Sequence, residues 1–195
     1  MKRLFSVAIA MALACSLAAC GGEPSSDSTA AGQSSVAASS SQAAASSAVS
    51  DNLTTSQKNA LSAAKSYISI MAFSHDGLVD QLEYEKYPAE DAVWAADNCG
   101  ADWDEEALEA AKGYVDIMAF SYSSLEKQLL HDKFTAEQAK HGADNCGADW
   151  FAEAAEAAKG YLDVMAFSRS ELIDQLKYEG FTADQAEHGV SEAGY

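Results

Sequence analysis

The side chains that could do chemistry in this 195-residue chain are four histidines, four cysteines and thirty acidic residues. Histidine and carboxylate pairs serve general acid–base catalysis, and clusters of histidine, cysteine and carboxylate bind metal ions. The four histidines are His75, His131, His141 and His188. They do not lie at metal-ligand spacings from one another or from a cysteine, and the carboxylates are scattered along polar helix positions. We therefore predict no catalytic residue, no metal site and no cofactor.

Cys20 is the residue whose surroundings point most directly to a chemical modification. Lys2 and Arg3 precede an almost wholly apolar segment over residues 4–14, and Leu-Ala-Ala stands directly before Cys20. This order is typical of a secretory signal peptide. Its ending resembles a bacterial lipobox, in which the cysteine is acylated and becomes the first residue. We predict a lipoprotein signal peptide over residues 1–19 and lipidation of Cys20, with an ordinary signal peptide as the alternative.

Residues 20–52 are dominated by serine, alanine and glycine and contain no aromatic residue. Such a composition cannot bury enough apolar surface to offset the entropy of ordering. We predict a lipid-anchored, flexible linker over residues 20–52. A flexible chain of this length spans roughly 30 Å on average. The rest of the chain is then expected outside the cell, above the outer face of the cytoplasmic membrane.

A 47-residue repeat organises the remainder of the chain. Its motifs are Ala-Ala-Lys (residues 63–65, 110–112 and 157–159), Met-Ala-Phe-Ser (71–74, 118–121 and 165–168) and Asp-Asn-Cys-Gly-Ala-Asp-Trp (97–103 and 144–150). A fixed period of this length indicates one supersecondary unit copied along the chain. We predict helical repeat 1 over residues 53–101, repeat 2 over residues 102–148 and repeat 3 over residues 149–195, with repeat 3 truncated at its C-terminal end.

Each repeat is predicted to contain three helices. In the first helix of repeat 2, Ala107, Ala111 and Met118 recur at helical spacing. Serine, threonine and aspartate occupy the positions expected of N-cap residues. The predicted N-caps are Thr55, Ser74, Asp102, Ser121, Thr135, Asp149, Ser168 and Thr182. The predicted fold class is all-α, with tandem three-helix repeats of helix-turn-helix type after a disordered tether.

Two cysteines and two tryptophans lie near the repeat boundaries. Cys99 and Cys146 are one period apart, and equivalent positions of stacked units are too distant for a disulfide. We interpret them as small buried residues, with a functional thiol as the alternative. Trp103 and Trp150 are predicted to fill the seam between repeats. The alternative makes these tryptophans anchors for a partner.

The chain has 12 basic and 30 acidic residues, which gives a formal net charge of −18. Nucleic acids and anionic lipid headgroups repel an acidic surface, so the charge argues against both as partners. We predict no nucleic-acid partner and no small-molecule substrate. A basic protein partner suits the charge, although a negative surface also serves simply to keep an exported protein soluble.

The motifs above, behind a lipobox and a Ser/Ala-rich tether, resemble the Ltp family, which comprises host cell surface-exposed lipoproteins of Gram-positive bacteria and their temperate phages. The resemblance covers roughly residues 56–195 and the anchor, and the run over residues 97–103 is quite specific. It implies helix-turn-helix repeats, an acidic surface and no catalytic residues. For the phage member it also implies superinfection exclusion, in which the lipoprotein contacts the tail's tape-measure protein and keeps incoming phage DNA out of the cytoplasm.

Two functional hypotheses follow. The first is a surface-anchored, non-catalytic binding protein that captures a phage tail component and blocks DNA injection, with attachment to the membrane through its N-terminal lipid. The second is a resident cell-envelope lipoprotein that binds cell wall or another surface protein. A secreted enzyme is a third reading that no residue pattern supports. The sequence assigns no residue to the contact with the partner.

Overall fold

The computed structural model describes residues 53–195; the predicted signal peptide, Cys20 and the linker up to residue 52 lie outside the described residues. The described part contains nine α-helices and no strand. The helices are α1 (Thr55–Ile68), α2 (His75–Tyr84), α3 (Ala89–Asn98), α4 (Trp103–Ile117), α5 (Tyr122–His131), α6 (Ala136–Asn145), α7 (Trp150–Val164), α8 (Arg169–Tyr178) and α9 (Ala183–Glu192). The predicted all-α fold of tandem three-helix repeats is confirmed for these residues.

Local capping explains where most helices begin. A capping side chain accepts hydrogen bonds from backbone N–H groups that the first turn of a helix leaves without partners. Seven of the predicted caps are confirmed, namely Ser74, Asp102, Ser121, Thr135, Asp149, Ser168 and Thr182. Pro88 precedes α3 and makes no side-chain cap.

The start of α1 differs from the prediction. Thr54, and not Thr55, is the N-cap residue, and Thr55 is the first helical residue. The Thr54 hydroxyl accepts a hydrogen bond from Gln57 N–H, and the Gln57 side chain accepts one from Thr54 N–H, both at 3.1 Å. A cap at Thr55 would place Lys58 at the third helical position, where lysine has no acceptor atom. The reciprocal capping box therefore decides the first residue of the helix.

Each repeat has an apolar core of its own between its three helices. The first and third helices make the most extensive contact. They contribute buried alanines, such as Ala107 and Ala139 in repeat 2, whereas the second helix contributes the fully buried Leu125 and Leu129. Alanine allows close helix packing but buries little apolar area, so the leucines supply much of the hydrophobic stabilisation.

Glycine permits the closest contact between helices in repeats 2 and 3. A Cβ atom at Gly142 would lie 2.6 Å from the Ala107 carbonyl oxygen, and one at Gly189 would lie 2.5 Å from the Ala154 carbonyl oxygen. Real Cβ atoms do not approach a carbonyl oxygen this closely. Helices α6 and α9 can therefore rest against the backbones of α4 and α7 only because these positions lack a side chain.

The second helix of each repeat ends in a left-handed residue. Lys86, Lys133 and Gly180 are equivalent and have φ angles of 74°, 70° and 93°. In repeat 2, Lys133 N–H and the following Phe134 N–H donate to carbonyls of the last turn of α5, which is a Schellman motif. The turn buries Phe134 in the core. Lysine at this position carries the strain of a left-handed backbone that glycine would avoid.

Candidate partner-binding surface

Cys20 is the predicted lipidation site, and it lies outside the described residues, so its acylation stays a prediction. Over residues 53–195, the helices are too short or too polar to cross a lipid bilayer.

The histidines and other metal-ligating side chains of the described residues do not form a metal centre. Within residues 53–195, no group of three or more His, Cys, Asp or Glu residues could hold a metal ion. His75 bonds Asp76 and Asp97, both at 2.9 Å. Burial lowers the pKa of His75, but the two hydrogen bonds together outweigh burial, so the pKa lies above its usual value. The His188 ring packs edge-on against Phe151.

A tyrosine–carboxylate hydrogen bond recurs in every repeat, and the sequence analysis did not predict it. The Tyr114 hydroxyl donates to Asp132 at 2.5 Å and accepts from the Gln128 amide at 3.3 Å. The equivalent groups are Tyr67, Gln81 and Glu85 in repeat 1 and Tyr161, Gln175 and Glu179 in repeat 3. Burial, followed by the bond to Asp132, raises the pKa of Tyr114 to about 12. This phenol stays protonated near neutral pH and ties the first helix to the end of the second.

The junction between repeats 1 and 2 is built on hydrogen bonds to the backbone. Glu106, in the first turn of α4, accepts a bond from Phe73 N–H at 3.0 Å. The buried Ser74 hydroxyl accepts from Gly77 N–H at 3.0 Å and donates to the Asp132 carbonyl oxygen at 2.5 Å. One serine therefore caps its own helix and also satisfies a carbonyl at the end of α5 in the next repeat.

The junction between repeats 2 and 3 uses the equivalent atoms. Glu153 accepts from Phe120 N–H at 3.0 Å, and the buried Ser121 hydroxyl donates to the Glu179 carbonyl oxygen at 2.6 Å. Burial raises the pKa of Glu153, and the same cause acts on Glu106, although each carboxylate accepts a backbone N–H. The sequence distance between partners, 33 and 58 residues, is the same at both junctions.

Trp103 and Trp150 fill the seams between repeats, as the sequence predicted. Trp103 packs on the core of repeat 1, and its ring centroid lies 5.4 Å from that of His75 in an edge-to-face arrangement. Trp150 packs on the core of repeat 2 and meets Tyr122 in the same way at 5.6 Å. The tryptophans are thereby part of the stacking of the repeats, and the alternative of partner anchors is not supported.

Cys99 and Cys146 have free thiols. Cys99 is buried, and its thiol donates to the Ala96 carbonyl oxygen at 3.2 Å, whereas Cys146 is half-buried. The interpretation as a small buried residue fits Cys99 fully and Cys146 in part.

Exposed carboxylates are distributed unevenly over the first helices of the repeats. Helix α1 contains no acidic residue. In α4, Glu109 and Asp116 are exposed, and in α7 the equivalent Glu156 and Asp163 are exposed. Negative charge is therefore repeated on the first helices of repeats 2 and 3 and is missing from that of repeat 1.

Large apolar side chains are exposed where the first helix of each repeat ends. Met71, Met118 and Met165 are equivalent and are 48%, 55% and 56% exposed, and the residues directly before them, Ile70, Ile117 and Val164, are also exposed. A single exposed apolar residue needs no explanation, but repetition at the same place in three units marks a surface feature. The helical spacing placed Met71, Met118 and Met165 on the apolar face of the first helices, and this prediction was wrong because all three side chains are exposed.

A family model described as host cell surface-exposed lipoprotein matches residues 55–99, 102–146 and 149–192. No curated protein matches the chain. A solved structure, that of Ltp, a superinfection exclusion protein from the Streptococcus thermophilus temperate phage TP-J34, is 34% identical, covers 48% of this chain and 98% of that chain, and has a TM-score of 0.46. Because the family model matches most of the sequence in three successive segments, the chain belongs to the family of host cell surface-exposed lipoproteins.

Proposed function

We propose that this chain is a lipid-anchored binding protein that excludes a superinfecting phage by contacting a basic tail component, such as the tape-measure protein, and blocking the entry of phage DNA. Membership of the host cell surface-exposed lipoproteins supports a location on the cell surface. Superinfection exclusion is the role that the resemblance to the Ltp family implies.

The observation that carries the proposal is the repetition of exposed carboxylates on stacked units. Glu109 and Asp116 on α4 recur as Glu156 and Asp163 on α7, within a chain of net charge −18. We propose that they belong to an acidic surface. Such a surface raises the rate of encounter with a basic partner, and a second copy of the same surface adds avidity.

The proposed mechanism is binding without turnover. The titratable side chains with altered pKa values are engaged in the fold: Tyr114 donates to Asp132, and Glu106 accepts from the Phe73 backbone. The hydrogen bonds of these two groups join helices or repeats, and we propose that the chain acts through the shape and charge of its exterior.

The anchor is the second component of the proposal. Acylation of Cys20 would hold the chain at the outer face of the cytoplasmic membrane, since buried acyl chains contribute about 0.8 kcal/mol for each CH₂ group. A linker of the length of residues 20–52 would let the helical repeats sample a radius of roughly 30 Å around the anchor. Both features would raise the local concentration of the binding surface where a phage delivers its DNA.

The proposal is tested by expressing the full chain in a phage-sensitive Gram-positive host. We expect normal phage adsorption, a fall in injected phage DNA and a fall in plaque count. The matched control is Cys20→Ser, which leaves residues 53–195 unchanged and should release the protein from the membrane and weaken protection. Unchanged plaque counts across a panel of phages would refute the proposal. Retention of the chain by purified cell wall would instead favour the resident envelope lipoprotein.

A further inference from the structure

A groove with a volume of about 450 Å³ runs along α7 on the side where repeats 2 and 3 meet. Its lining includes Met118 from repeat 2 and Ala157, Gly160, Val164 and Met165 from repeat 3. Three of these side chains, those of Met118, Val164 and Met165, are more than half exposed. The groove is therefore apolar and open to solvent, and the described helices leave it uncovered.

A glycine in the middle of α7 has no explanation in the packing of the chain itself. Gly160 is exposed, and a Cβ atom placed on it would meet nothing within 4 Å. Glycine destabilises the interior of a helix relative to alanine. At this position no packing contact among the described residues offsets that loss of stability. Gly113 occupies the same place in α4 and is equally free of neighbours. Glycine allows a second backbone to approach closely, and larger residues do not.

Negative charge flanks each of these glycines. Glu156 lies four residues before Gly160 and Asp163 lies three residues after it, which places all three on one face of α7. Both carboxylate residues are exposed. The neighbouring Lys159 lines a different groove, together with Phe151. Glu156 and Glu179 line the groove itself, so the apolar groove has an acidic edge.

The glycine between two carboxylates recurs in α4 and is absent from α1. In α4, Glu109, Gly113 and Asp116 have the spacing of their counterparts in α7. In α1, the three equivalent positions are Ser62, Ser66 and Ser69. Repeats 2 and 3 thus share a surface that repeat 1 lacks, although all three repeats have the same fold.

We infer that the α7 face around Gly160, and the equivalent α4 face around Gly113, each bind an amphipathic α-helix that belongs to a basic protein. An apolar stripe of that helix would lie against the glycine and the methionines, whose flexible side chains adapt to a partner surface. Lysine or arginine beside the stripe would pair with the flanking Glu and Asp. The inference rests on the proposed function, because it names the kind of segment that the anchored chain would capture.

Charge and shape select this occupant over the others. A second copy of the chain would bring the acidic faces of its own α4 and α7 into contact, and anionic lipid would also be repelled. A peptide that binds by adding a strand would need a sheet edge, and the described residues contain no strand. A helix can lie along a groove between helices without such an edge.

The test uses the full chain in nanodiscs of zwitterionic lipid and a fluorescent synthetic peptide of about 20 residues, long enough to form a helix when bound. The peptide has leucine and alanine at helical spacing and lysine beside that stripe. One control peptide has the same composition in scrambled order, and the other has glutamate in place of lysine. Anisotropy measured with empty nanodiscs is subtracted.

The test variant carries both Gly113→Leu and Gly160→Leu. Each substitution fills one of the two faces with leucine, a side chain that helices tolerate. The matched control is Ser66→Leu, which adds similar bulk at the equivalent position of α1, where the flanking acids are missing. We expect the double variant to bind the lysine peptide at least about tenfold more weakly and Ser66→Leu to bind it like the wild type. Circular dichroism checks that each variant keeps its helices.

Equal binding by the double variant and the wild type would overturn the inference, and so would equal binding of the scrambled or glutamate peptide. The phage assay separates this inference from the proposed function. Full protection by the double variant, despite lost peptide binding, would refute the groove as the capture site and leave superinfection exclusion intact. Peptide binding by a wild-type chain that gives no protection would refute the proposed function alone.

Discussion

At the junction between repeats 1 and 2, Lys133 pairs with Asp80 across the boundary, whereas at the junction between repeats 2 and 3 the equivalent Gly180 accepts a hydrogen bond from Ser123. Two other contacts with the backbone are the same at both junctions. At both boundaries a glutamate accepts a phenylalanine N–H, and a buried serine donates to the carbonyl that ends the next second helix. The contacts made by Lys133 and Gly180 therefore differ, while those of the glutamates and serines recur.

This difference indicates which contacts hold the repeats together. A backbone N–H or carbonyl buried without a partner costs stability whatever the side chains are, so its partner must be supplied at each boundary. An exposed ion pair such as Lys133–Asp80 contributes little, because water already solvates both charges. We therefore expect variants of the shared contacts to act equally at the two junctions and variants of the differing contacts to act unequally.

The largest effect is expected from the tryptophans. Trp103→Ala and Trp150→Ala each remove a half-buried ring from a repeat core and an edge-to-face contact. Each should lower the free energy of unfolding by about 2–3 kcal/mol, which is below the cost for a fully buried ring. Urea titration measures both values, and a difference of several-fold between them would break the equivalence of the two junctions.

The next largest loss of stability is expected for the two serines that each form hydrogen bonds with two helices. Ser74→Ala and Ser121→Ala should each lower the free energy of unfolding by about 2 kcal/mol, because each removes a helix cap and leaves a part-buried carbonyl of the next repeat without its donor.

Ser168→Ala is the matched control for the serines. Ser168 caps α8 in the same way, but it is exposed and bonds only within its own cap. Its loss should cost about 1 kcal/mol, as an ordinary cap does. If urea titration gave the same value for all three variants, the bond across the junction would contribute nothing.

A smaller and unequal effect is expected where the junctions differ. A Cβ on Gly180 would lie 2.1 Å from the Ser123 hydroxyl, and its φ is positive, so Gly180→Ala should destabilise the chain by about 1–2 kcal/mol. Lys133→Gly relieves a left-handed lysine and loses only an exposed ion pair, so its net effect should lie within about 0.5 kcal/mol of zero. Thermal unfolding of both variants checks this contrast, and equal effects would contradict it.

The smallest expected effect is on the pH dependence of stability. His75 has a pKa raised by Asp76 and Asp97, so its contribution to stability is complete below its ordinary value of 6.5 and is lost as the pH rises through the higher folded-state pKa. Tyr122 holds the equivalent place at the second junction and does not titrate in this range. His75→Tyr should therefore flatten the fall in melting temperature between pH of about 6 and about 8.

The control for the pH experiment is Tyr122→Phe, which removes the bond to Asp144 and leaves a ring to pack against Trp150. This variant should keep the pH dependence of the wild type, because His75 remains. A wild-type chain whose melting temperature rises from pH of about 6 to about 8 would show that other groups dominate.

The parts of the fold that the sequence predicted depend on short sequence distances. The predicted N-cap Ser168 is confirmed, and it forms a capping box with Glu171 because the two residues are three positions apart and no distant residue is needed. Thr54 took the place of the predicted Thr55 because two adjacent threonines compete, and only Thr54 has a glutamine at the matching position. Local spacing therefore predicted the type of helix start and missed its residue by one.

The contacts that build the junctions could not be predicted in the same way. Glu106 lies in the first turn of α4, where the helix dipole already explains an acidic residue, so its bond to Phe73 N–H gave no separate signal. The 47-residue recurrence of Ser74 as Ser121 was visible, but a capping role accounted for it completely. The exposed Gly113 and Gly160 were a signal that could have been used, since both stand inside predicted helices.

The central claim is that the anchored repeats act by binding a phage protein. Crosslinking on intact cells during phage challenge tests it most directly, with the crosslinked partner identified by mass spectrometry. The account predicts adducts between residues 53–195 and a basic phage tail protein, formed after adsorption and before DNA entry. Cells that remain protected while the chain forms no adduct with any phage protein would contradict it.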